Sequence, residues 1–345
     1  MAELKNPVSV VILNYNGENY LKQFLPDVVR YSPDAEVVVA DNGSTDNSIE
    51  FLKNNFPEVK LICFDKNYGF AQGYNLALKK LSSEYFVLLN SDVQVTENWL
   101  KVLYDFMQNN PQVAACQPKI RSFYDKTKFE YAGACGGFID KYGYPFCRGR
   151  ILGTLETDNA QYEEVTEIFW ATGACMMVRA KDFWQADALD GKFFAHQEEI
   201  DLCWRLKARG KSVVCIPQSV VFHVGGGTLN AESPMKTYLN FRNNLILLYK
   251  NIPEKRLRKV FFARFFLDIF AALNLFLQGK KENAKQIFKA KRDFKKSRKT
   301  FFAARKRNLS LTQNPYPTEM LDGLLLFNYY FKKIKTFDKL DFSKN

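Results

Sequence analysis

Four short apolar runs in the first 90 residues constrain the fold of this chain more than any other feature. They are rich in β-branched and aromatic residues and span 8–15, 36–40, 59–64 and 85–89. Stretches with helical periodicity, such as 20–29 and 49–56, separate them. Strands that alternate with helices in this way form βαβ units around a parallel sheet. The sequence therefore predicts an α/β fold.

Polar turns follow these runs at the positions where a parallel sheet binds ligands. The segments NYNG (14–17) and DNGSTD (41–46) each join the carboxyl end of a strand to a helix, and a third turn spans 67–75. Open α/β sheets bind ligands outside the carboxyl ends of their strands. Each turn taken alone is also explained by ordinary turn chemistry. Their joint occurrence at one edge indicates a binding site, in which Asp41 offers a carboxylate to a ribose or a base.

A lone carboxylate at the end of the fourth run is the strongest single indication of a functional site. Asp92 closes the segment NSD (90–92), directly after the apolar run 85–89. A buried strand needs no acidic residue at its end in order to fold. Further along the chain, the acidic segment 198–201 is followed by His223, one of only two histidines. Together the three segments predict one metal-assisted site.

Composition bounds the class of protein. The chain has 345 residues, of which 47% are apolar, and this suffices for about two domains with sizeable cores. The seven cysteines form no CxxC pair, which favours reduced thiols in the cytosol. The first residues lack a basic flank and a long apolar core, so we expect no signal segment. Arg264 and Asp268 interrupt the most apolar later stretch and leave only 269–279 free of charge, fewer than the roughly 20 residues of a membrane-spanning helix.

Charge is distributed unevenly along the chain. Residues 1–235 carry 23 Lys and Arg against 29 Asp and Glu, whereas residues 236–345 carry 26 against 8. The net charges are therefore −6 and +18, a split that is typical of two functional regions. The sequence predicts a catalytic domain over 1–234, with a nucleotide half at about 1–110 and an acceptor half at about 111–234. Residues 235–345 are expected to form a basic, aromatic-rich helical region.

Taken in order, these motifs resemble those of a known family. The segments at 14–17, 41–46, 67–75, 90–92, 173–179, 194–210 and 223–228 are similar to the successive motifs of family-2 glycosyltransferases, especially the rhamnosyltransferase-like branch. The similarity covers about residues 8–250. It implies a GT-A fold, in which a Rossmann-like, mostly parallel sheet is flanked by helices, with a C-terminal helical extension. It also implies inverting transfer of a sugar from a nucleoside diphosphate to an acceptor hydroxyl.

The resemblance assigns roles to most of these polar residues. The donor would be contacted at the three turns and at the end of the fourth run, by Asn14, Asn16, Asp41, Asn42, Asn67, Gly69, Asn75, Asn90 and Asp92. A hard cation, Mn²⁺ or Mg²⁺, would stabilise the leaving diphosphate, with Asp92 and His223 as ligands. The family's metal motif often carries two acidic residues, whereas this chain has Asn90 in the first position, so we expect weaker metal binding. A buried, hydrogen-bonded core histidine is the other interpretation of His223.

The same resemblance places the general base at the start of a predicted helix over 198–208. Glu199 matches the base position, where aspartate is more usual in the family. Glu198 would contact the acceptor, and Asp201 would pair with Arg205. The alternative is that these acidic residues only favour the helix macrodipole, by about 0.3–1 kcal/mol each.

The donor and the acceptor are only partly constrained by the sequence. Uracil and thymine present the same N3–H and carbonyl edge to Asp41 and differ by a methyl group, so the residues leave UDP and dTDP donors open. The resemblance favours dTDP-rhamnose over a UDP-hexose. It also implies a glycan or lipid-linked glycan acceptor in cell-surface polysaccharide synthesis, which places the enzyme in the cytoplasm, peripherally on the inner face of the cell membrane.

The basic C-terminal part has two competing interpretations. Its first segment, 235–250, resembles the Arg-Asn segment of the rhamnosyltransferase-like branch and would bound the acceptor site. Phenylalanines interleaved with Lys and Arg at helical spacing over 256–307 predict helices that bind an anionic membrane surface. Alternatively, the phenylalanines pack on the catalytic domain and the charges face solvent.

A second class of function would explain the same charge. In that class the body is a non-catalytic nucleotide-binding protein and the tail binds nucleic acid or a membrane. Nucleic acid is disfavoured because the chain carries no recognisable nucleic-acid-binding motif. A nucleotidyltransferase is disfavoured because an early Gly-rich loop that bears Lys or Arg is absent.

Overall fold

The computed structural model describes residues 6–225 and 233–343. Within them the strands are β1 Val8–Asn14, β2 Ala35–Asp41, β3 Lys60–Cys63, β4 Tyr85–Leu89, β5 Val93–Val95, β6 Val113–Ser122, β7 Gly137–Asp140, β8 Pro145–Cys147, β9 Arg150–Ile151, β10 Thr154–Leu155, β11 Thr166–Glu167, β12 Cys175–Arg179, β13 Ser212–His223 and β14 Met320–Leu321. The helices are α1 Glu18–Arg30, α2 Ser48–Asn55, α3 Gly69–Leu78, α4 Trp99–Asn109, α5 Ala180–Gln185, α6 Glu198–Ala208, α7 Pro234–Asn251, α8 Glu254–Leu277, α9 Lys281–Ser297, α10 Phe302–Ser310 and α11 Leu325–Tyr330. The segment 226–228 of the predicted motif near His223 lies outside the described residues.

The main sheet has a parallel half and a mixed half. In the parallel half the strands lie in the order β3-β2-β1-β4, and Val8 is in register with both Ala35 and Tyr85. Beyond β4, β12 pairs with β4 and with β6 in antiparallel fashion, and β13 runs parallel to β6. The short strands β5 and β11 both pair with β13. The predicted α/β fold with a helix-flanked sheet is confirmed, and its parallel half contains the four predicted strands.

Both faces of the parallel half are covered, which explains why its strands are apolar throughout. All five residues of β4 are buried. Successive residues of a strand point to opposite faces, so Val11 and Leu88 belong to one hydrophobic core and Val10 and Leu89 to the other. The strand ends, rather than the faces, are therefore where a ligand can approach.

The C-terminal helices pack on the body, and the end of the chain returns to it. α7 contacts α6, α9 and α10, and α8 lies along α9. β14 runs parallel to β7 in a small second sheet with the order β10-β9-β8-β7-β14. The rings of Phe337 and Phe342 contact Phe138 of β7. The predicted C-terminal helical extension is confirmed, and the division of the chain near residue 234 stays a prediction.

The helix α8 corrects one expectation from the sequence, which was that no stretch is long enough to cross a membrane. That expectation required a stretch free of charge, whereas α8 continues through Arg264 and Asp268 without a break. It has 24 residues and an 18-residue window with a mean hydropathy of 1.9. By length and composition it is able to cross a membrane, and it is the one such helix in the described parts of the chain. Only 22% of this window is buried.

Candidate active site

The candidate site lies at the carboxyl edge of the parallel strands. Asn14 ends β1 and Asp41 ends β2, and the two residues are in register. The segment 90–92 follows β4 directly, and the Cβ position of Gly17 lies 3.5 Å from Ser91 Oγ. The turns after β1, β2 and β4 therefore meet at one edge, because parallel strands end on the same side of a sheet.

The turn after β2 is held by the side chain that was predicted to meet the ribose or base. Asp41 is fully buried, and its Oδ1 accepts a hydrogen bond from Asn14 Nδ2 at 3.1 Å. Its Oδ2 accepts one from the Ser44 N–H at 2.9 Å. Asn14 Nδ2 also donates to Ser44 Oγ at 3.2 Å. Asp41 therefore positions the turn, and its contact with a ribose or base stays a prediction.

The three predicted turns are linked to one another by asparagine side chains. Asn16 Oδ1 accepts a hydrogen bond from the Thr45 N–H at 2.7 Å, which joins the first turn to the second. Asn42 Nδ2 donates to Asn67 Oδ1 at 3.1 Å and to the Gly69 carbonyl at 3.2 Å, which joins the second turn to the third. These residues thus form a preformed rim, in which Asn16 and Asn67 are the more exposed members.

Asn75 was also predicted to contact the donor, and the structure gives it another role. Its Nδ2 donates to the Leu189 carbonyl at 2.7 Å, and its Oδ1 accepts from the Leu189 N–H at 3.2 Å. Both ends of the amide are therefore occupied by backbone that lies far away in the sequence. Asn75 thus fixes α3 against the loop before Gly191–Phe193, and its contact with the donor stays a prediction.

Asp92 and His223 come together because β5 pairs with the end of β13. Val93 is in register with His223, and the Val224 N–H donates to the Asp92 carbonyl at 3.0 Å. Asp92 Oδ1 lies 3.1 Å from His223 Nε2, and both side chains are buried. Asn90 Nδ2 lies 3.4 Å from the same nitrogen. Burial disfavours a charged imidazole, but hydrogen bonds to two carboxylates outweigh it and raise the pKa of His223 to about 10.

The second of these carboxylates, Glu130, was not identified from the sequence. Its Oε2 lies 3.4 Å from His223 Nδ1, on the side of the ring opposite to Asp92. A carboxylate behind an imidazole fixes the orientation of the ring and raises its basicity. Glu130 lies in the irregular region between β6 and β7, where no periodicity or motif marks it.

A divalent cation fits the chemistry of the Asp92 and His223 pair. One carboxylate oxygen and one imidazole nitrogen face each other in a buried setting, and once the imidazole has lost its proton this donor set suits Mn²⁺ or Mg²⁺. No group of three His, Cys, Asp or Glu side chains with metal-binding geometry occurs in the described ranges. The protein thus offers two ligands, so the remaining ligands would be supplied by a diphosphate and water.

The residues that were predicted to form the acceptor side lie in the first turn of α6. Burial raises the pKa of Glu199 to about 7, against the lowering effect of the N–H groups at the helix start. Burial and repulsion from Glu199 raise the pKa of Glu198 well above its usual value. One carboxyl oxygen of each residue is buried without a hydrogen-bond partner. A carboxylate with a pKa near neutrality is suited to accept a proton.

Asp201 was predicted as part of the catalytic group, and its surroundings are those of a structural residue. It forms the predicted pair with Arg205, at 2.9 Å, and also contacts Lys250 Nζ at 2.7 Å and Asn251 Nδ2 at 2.9 Å. Burial alone would raise its pKa, but Lys250 and Arg205 lower it to about 2. Asp201 is fully buried. The predicted pair with Arg205 is thus present, and the contacts with Lys250 and Asn251 fix α6 against α7; a place for Asp201 in the catalytic group stays a prediction.

The segment that leads into α6 has an unusual backbone. Phe194, His196 and Gln197 have φ angles of 67°, 71° and 72°, which side-chain-bearing residues seldom adopt. Asn243 of α7 holds this backbone, because its Nδ2 lies within 3.0 Å of the carbonyl oxygens of residues 193, 195 and 196. The Phe194 carbonyl also accepts a hydrogen bond from the Phe70 N–H at 2.7 Å, which ties the segment to the start of α3. Such strain is typical of functional sites.

His196 and Lys236 are two further residues that sequence reasoning missed. The Nε2 atom of His196 is buried without a hydrogen-bond partner. Burial and the charge of Lys236 lower the pKa of His196 to about 4, so its ring is neutral. Burial lowers the pKa of Lys236, and the charge of Glu130 opposes this effect in part. The charge of Lys236 therefore interacts with His196 beside α6 and with Glu130 beside His223.

Comparison with known sequences identifies a matching family. The family described as "Glycosyl transferase family 2" matches residues 9–186. An N-acetylglucosaminyl-diphospho-decaprenol L-rhamnosyltransferase of Mycobacterium tuberculosis is 26% identical over 230 residues, which cover 62% of this chain and 75% of that protein. The low-salt glycan biosynthesis hexosyltransferase Agl10 of Haloferax volcanii is 23% identical over 252 residues, covering 69% of this chain and 74% of that protein.

Comparison with solved structures gives the same fold. GalNAc-T7 with UDP, GalNAc and Mn²⁺ superposes with a TM-score of 0.57 at 14% identity, covering 88% of this chain and 59% of that chain. Residues 1–349 of S. aureus TarS in complex with UDP-GlcNAc superpose with a TM-score of 0.55 at 17% identity, covering 88% and 83%. At these identities the likeness establishes the GT-A fold.

Proposed function

The chain belongs to glycosyltransferase family 2, and from that premise we propose that it transfers one sugar, with inversion, from a nucleoside diphosphate to a hydroxyl of a glycan or lipid-linked glycan. Its resemblance to the rhamnosyltransferases is confirmed by the family match and the relatives. The observation that carries the proposal is the first turn of α6, where Glu199 has a pKa near 7 and a buried oxygen without a partner.

The nucleotide side supplies binding and orientation. Asn16, Asn67 and the Gly69 backbone line the rim that would receive the donor, and buried hydrogen bonds of Asn14, Asp41 and Asn42 fix that rim. Asp92 and His223 would hold the divalent cation, with Glu130 orienting the imidazole and Asn90 beside it. When bound, the cation stabilises the negative charge that develops on the leaving diphosphate. Because the rim is preformed, little conformational entropy is lost when the donor binds.

The acceptor side supplies the base. Glu199 takes the proton from the acceptor hydroxyl as that oxygen forms a bond to the anomeric carbon, and the bond from this carbon to the diphosphate oxygen breaks with its electron pair. Attack from the face opposite to the leaving group inverts the anomeric configuration. Glu198, whose pKa is raised by burial and by repulsion from Glu199, is placed to form a hydrogen bond with the acceptor. His196 presents a neutral ring beside it.

The donor and acceptor are inferred from the relatives. The mycobacterial relative is named as an L-rhamnosyltransferase acting on N-acetylglucosaminyl-diphospho-decaprenol. This supports dTDP-rhamnose as the donor and a lipid-linked glycan as the acceptor, in polysaccharide synthesis at the cytoplasmic face of a membrane. A UDP-hexose is the second candidate, because no described side chain distinguishes thymine from uracil.

A calorimetric panel tests the proposal. UDP, dTDP, GDP and CDP are titrated into the protein with and without Mn²⁺ or Mg²⁺. We expect binding of UDP or dTDP that requires the cation and is lost in Asp92→Ala. The matched control is Asp105→Ala, at an exposed residue of α4 that pairs with Lys101. Absence of binding by any nucleotide would refute both the transferase assignment and the nucleotide-binding alternative, and would indicate a degenerate or non-enzymatic role.

A further inference from the structure

The outward side of α8 is apolar and uncovered. We call it the α8 outer face; its members share exposures of 37–75% and are Phe262, Phe265, Phe266, Ile269, Phe270, Leu273, Phe276 and Leu277. Eight large apolar side chains on one helix form a contiguous exposed patch, which on a monomeric protein marks an interaction surface. The prediction that the phenylalanines pack on the catalytic domain is wrong for this face.

The opposite side of α8 is fixed to the body. Its buried stripe recurs every four residues and consists of Val260, Arg264, Asp268 and Ala272. Arg264 Nη2 lies 3.0 Å from Asp268 Oδ1, and Arg264 Nη1 donates to the Tyr142 carbonyl at 2.9 Å and to Asn244 Oδ1. Because the protein itself fills this side, only the outer face is available to a partner.

Positive charge borders the α8 outer face. Lys281 Nζ lies 5.7 Å from the Phe276 ring centroid, and Lys291 Nζ lies 4.5 Å from that of Phe265. Residues 254–297, which include α8 and α9, carry 13 Lys and Arg against 4 Asp and Glu, a net charge of +9. Lysines beside exposed aromatic rings are typical of protein surfaces that lie in the headgroup region of anionic bilayers.

We propose that the α8 outer face docks on an anionic lipid bilayer, with the helix lying in the plane of the membrane interface. The apolar side chains enter the boundary between headgroups and acyl chains, and the flanking lysines contact lipid phosphates. A spanning helix would need lipid on all sides, which the buried Arg264–Asp268 pair and the packing on α9 prevent. A second copy is disfavoured because two such faces would bring like charges of +9 together.

Docking in this orientation places the site near the membrane. Asn244, which accepts from Arg264, donates to Gln197 Oε1 at 2.9 Å, and Gln197 directly precedes the first turn of α6. Arg264 of the docked helix is thus linked through Asn244 to Gln197, which lies two residues before the candidate base Glu199. The docking itself holds whichever acceptor the enzyme uses, and it is measured without donor or acceptor, so its failure is separate from failure of the proposed transfer.

Vesicle co-sedimentation of the full chain tests the docking. We expect binding to phosphatidylcholine vesicles that contain about one third phosphatidylglycerol, and much weaker binding to pure phosphatidylcholine or at about 0.5 M salt. The variant Phe262→Ser/Phe266→Ser/Phe270→Ser should weaken binding at least about tenfold. The matched control Phe302→Ser/Phe327→Ser/Phe331→Ser changes three exposed phenylalanines that lie in α10, in α11 and directly after α11. This control should bind as the unaltered protein does.

A second measurement does not depend on the folding of the triple variant. In the single variant Phe270→Trp, the fluorescence of the added indole should be quenched by brominated lipids in anionic vesicles.

Four outcomes would overturn the proposal: no binding by the unaltered protein, equal binding by the outer-face variant, no quenching in Phe270→Trp, or a dimer in light scattering that the outer-face variant dissociates. Retention on vesicles through an alkaline wash would overturn the in-plane orientation and indicate a spanning helix.

Discussion

The two sides of the candidate site differ in how their buried polar groups are satisfied. On the nucleotide side, the buried side chains of Asp41 and Asn42 hydrogen-bond to neighbouring turns, and Asn14 Oδ1 is a rim atom that is buried without a partner. On the acceptor side, Glu198, Glu199 and His196 each keep a buried polar atom without a partner, and the backbone leading to them is strained. Unsatisfied groups and strain reduce stability.

The difference indicates which side does the chemistry. A preformed rim suits a donor that is recognised in one fixed conformation. Carboxyl groups held without partners have raised pKa values and are ready to exchange protons with a substrate. Nearby interactions offset the stability that is lost on the acceptor side. They are the buried ion pair between Asp201 and Lys250 and the buried hydrogen bonds of Asp201 and Asn243. The following experiments test this contrast.

The largest effect is expected from Glu199→Gln. The amide keeps the shape of the side chain but cannot accept the proton, so turnover should fall about 10²–10⁴-fold while nucleotide affinity stays unchanged. Sugar transfer and calorimetric titration measure the two quantities. Unchanged turnover would exclude Glu199 as the base.

Glu199→Gln should also change how stability depends on pH. Because burial raises the pKa of Glu199 from its usual 4.5 to about 7, the fold loses stability as the pH rises between these two values, and the loss is complete above about pH 7. The variant should therefore melt at a higher temperature than the unaltered protein at about pH 8.5, with little difference at about pH 4.

Asp201→Asn should give the next largest effect, on stability. The substitution leaves the buried cation of Arg205 without its carboxylate, while Lys250 keeps its ion pair with Asp190 at 2.7 Å. We expect a cost of about 3–5 kcal/mol. The pKa of Asp201 is lowered to about 2, so the stabilisation is present at neutral pH and is lost as the pH falls through that value. Urea unfolding measures the loss. The exposed pair in Asp105→Asn is the control and should change stability by less than about 1 kcal/mol. A small loss in Asp201→Asn would place Asp201 with the catalytic group instead.

The contrast also shows what can be predicted from the sequence. The parallel strands, their polar ends and α6 follow from local patterns, since apolar runs and turn residues are contiguous in the chain. Helix α6, predicted over 198–208, has those bounds in the structure. The buried hydrogen bonds that Asp41 and Asn75 form with Asn14 and Leu189 were not predicted, because these partners lie at long sequence separation. Such partners depend on tertiary contacts that no local pattern records.

Asn243→Ala should separate the acceptor side from the nucleotide side. The variant removes the donor shared by three carbonyls of the segment before α6 and costs about 1–3 kcal/mol of stability. The strained backbone would then relax and move Glu199, so turnover should fall about tenfold or more. Nucleotide affinity should stay unchanged, since the rim makes none of these contacts. If nucleotide affinity falls in parallel with turnover, the two sides do not act independently.

The pH dependence should show the acceptor side alone. Glu199 must be ionised to accept a proton, and its pKa is about 7. At saturating donor and acceptor, turnover should therefore rise about tenfold between about pH 6 and about pH 8. The residual activity of Glu199→Gln should lack this rise. A profile that is flat in the unaltered enzyme would show that Glu199 has an ordinary pKa when substrates are bound.

Asn42→Ala is the nucleotide-side counterpart of Asn243→Ala and should have the smallest effect. It removes the hydrogen bonds from Asn42 to Asn67 Oδ1 and to the Gly69 carbonyl, yet the Gly69 N–H still donates to Asn67 Oδ1 at 2.8 Å. Because the third turn keeps this local contact, we expect nucleotide affinity to fall only about three- to tenfold, with turnover unchanged.

Asn55→Ala is the control for this variant. Asn55 is exposed on α2, and the hydrogen bond described for its side chain is to the Phe51 carbonyl of the same helix. It should leave both nucleotide affinity and turnover unaltered. A loss of turnover in Asn42→Ala as large as that in Asn243→Ala would mean that the turns transmit strain to α6. The Phe194 carbonyl, which binds the Phe70 N–H at the start of α3, is the contact through which that strain would pass.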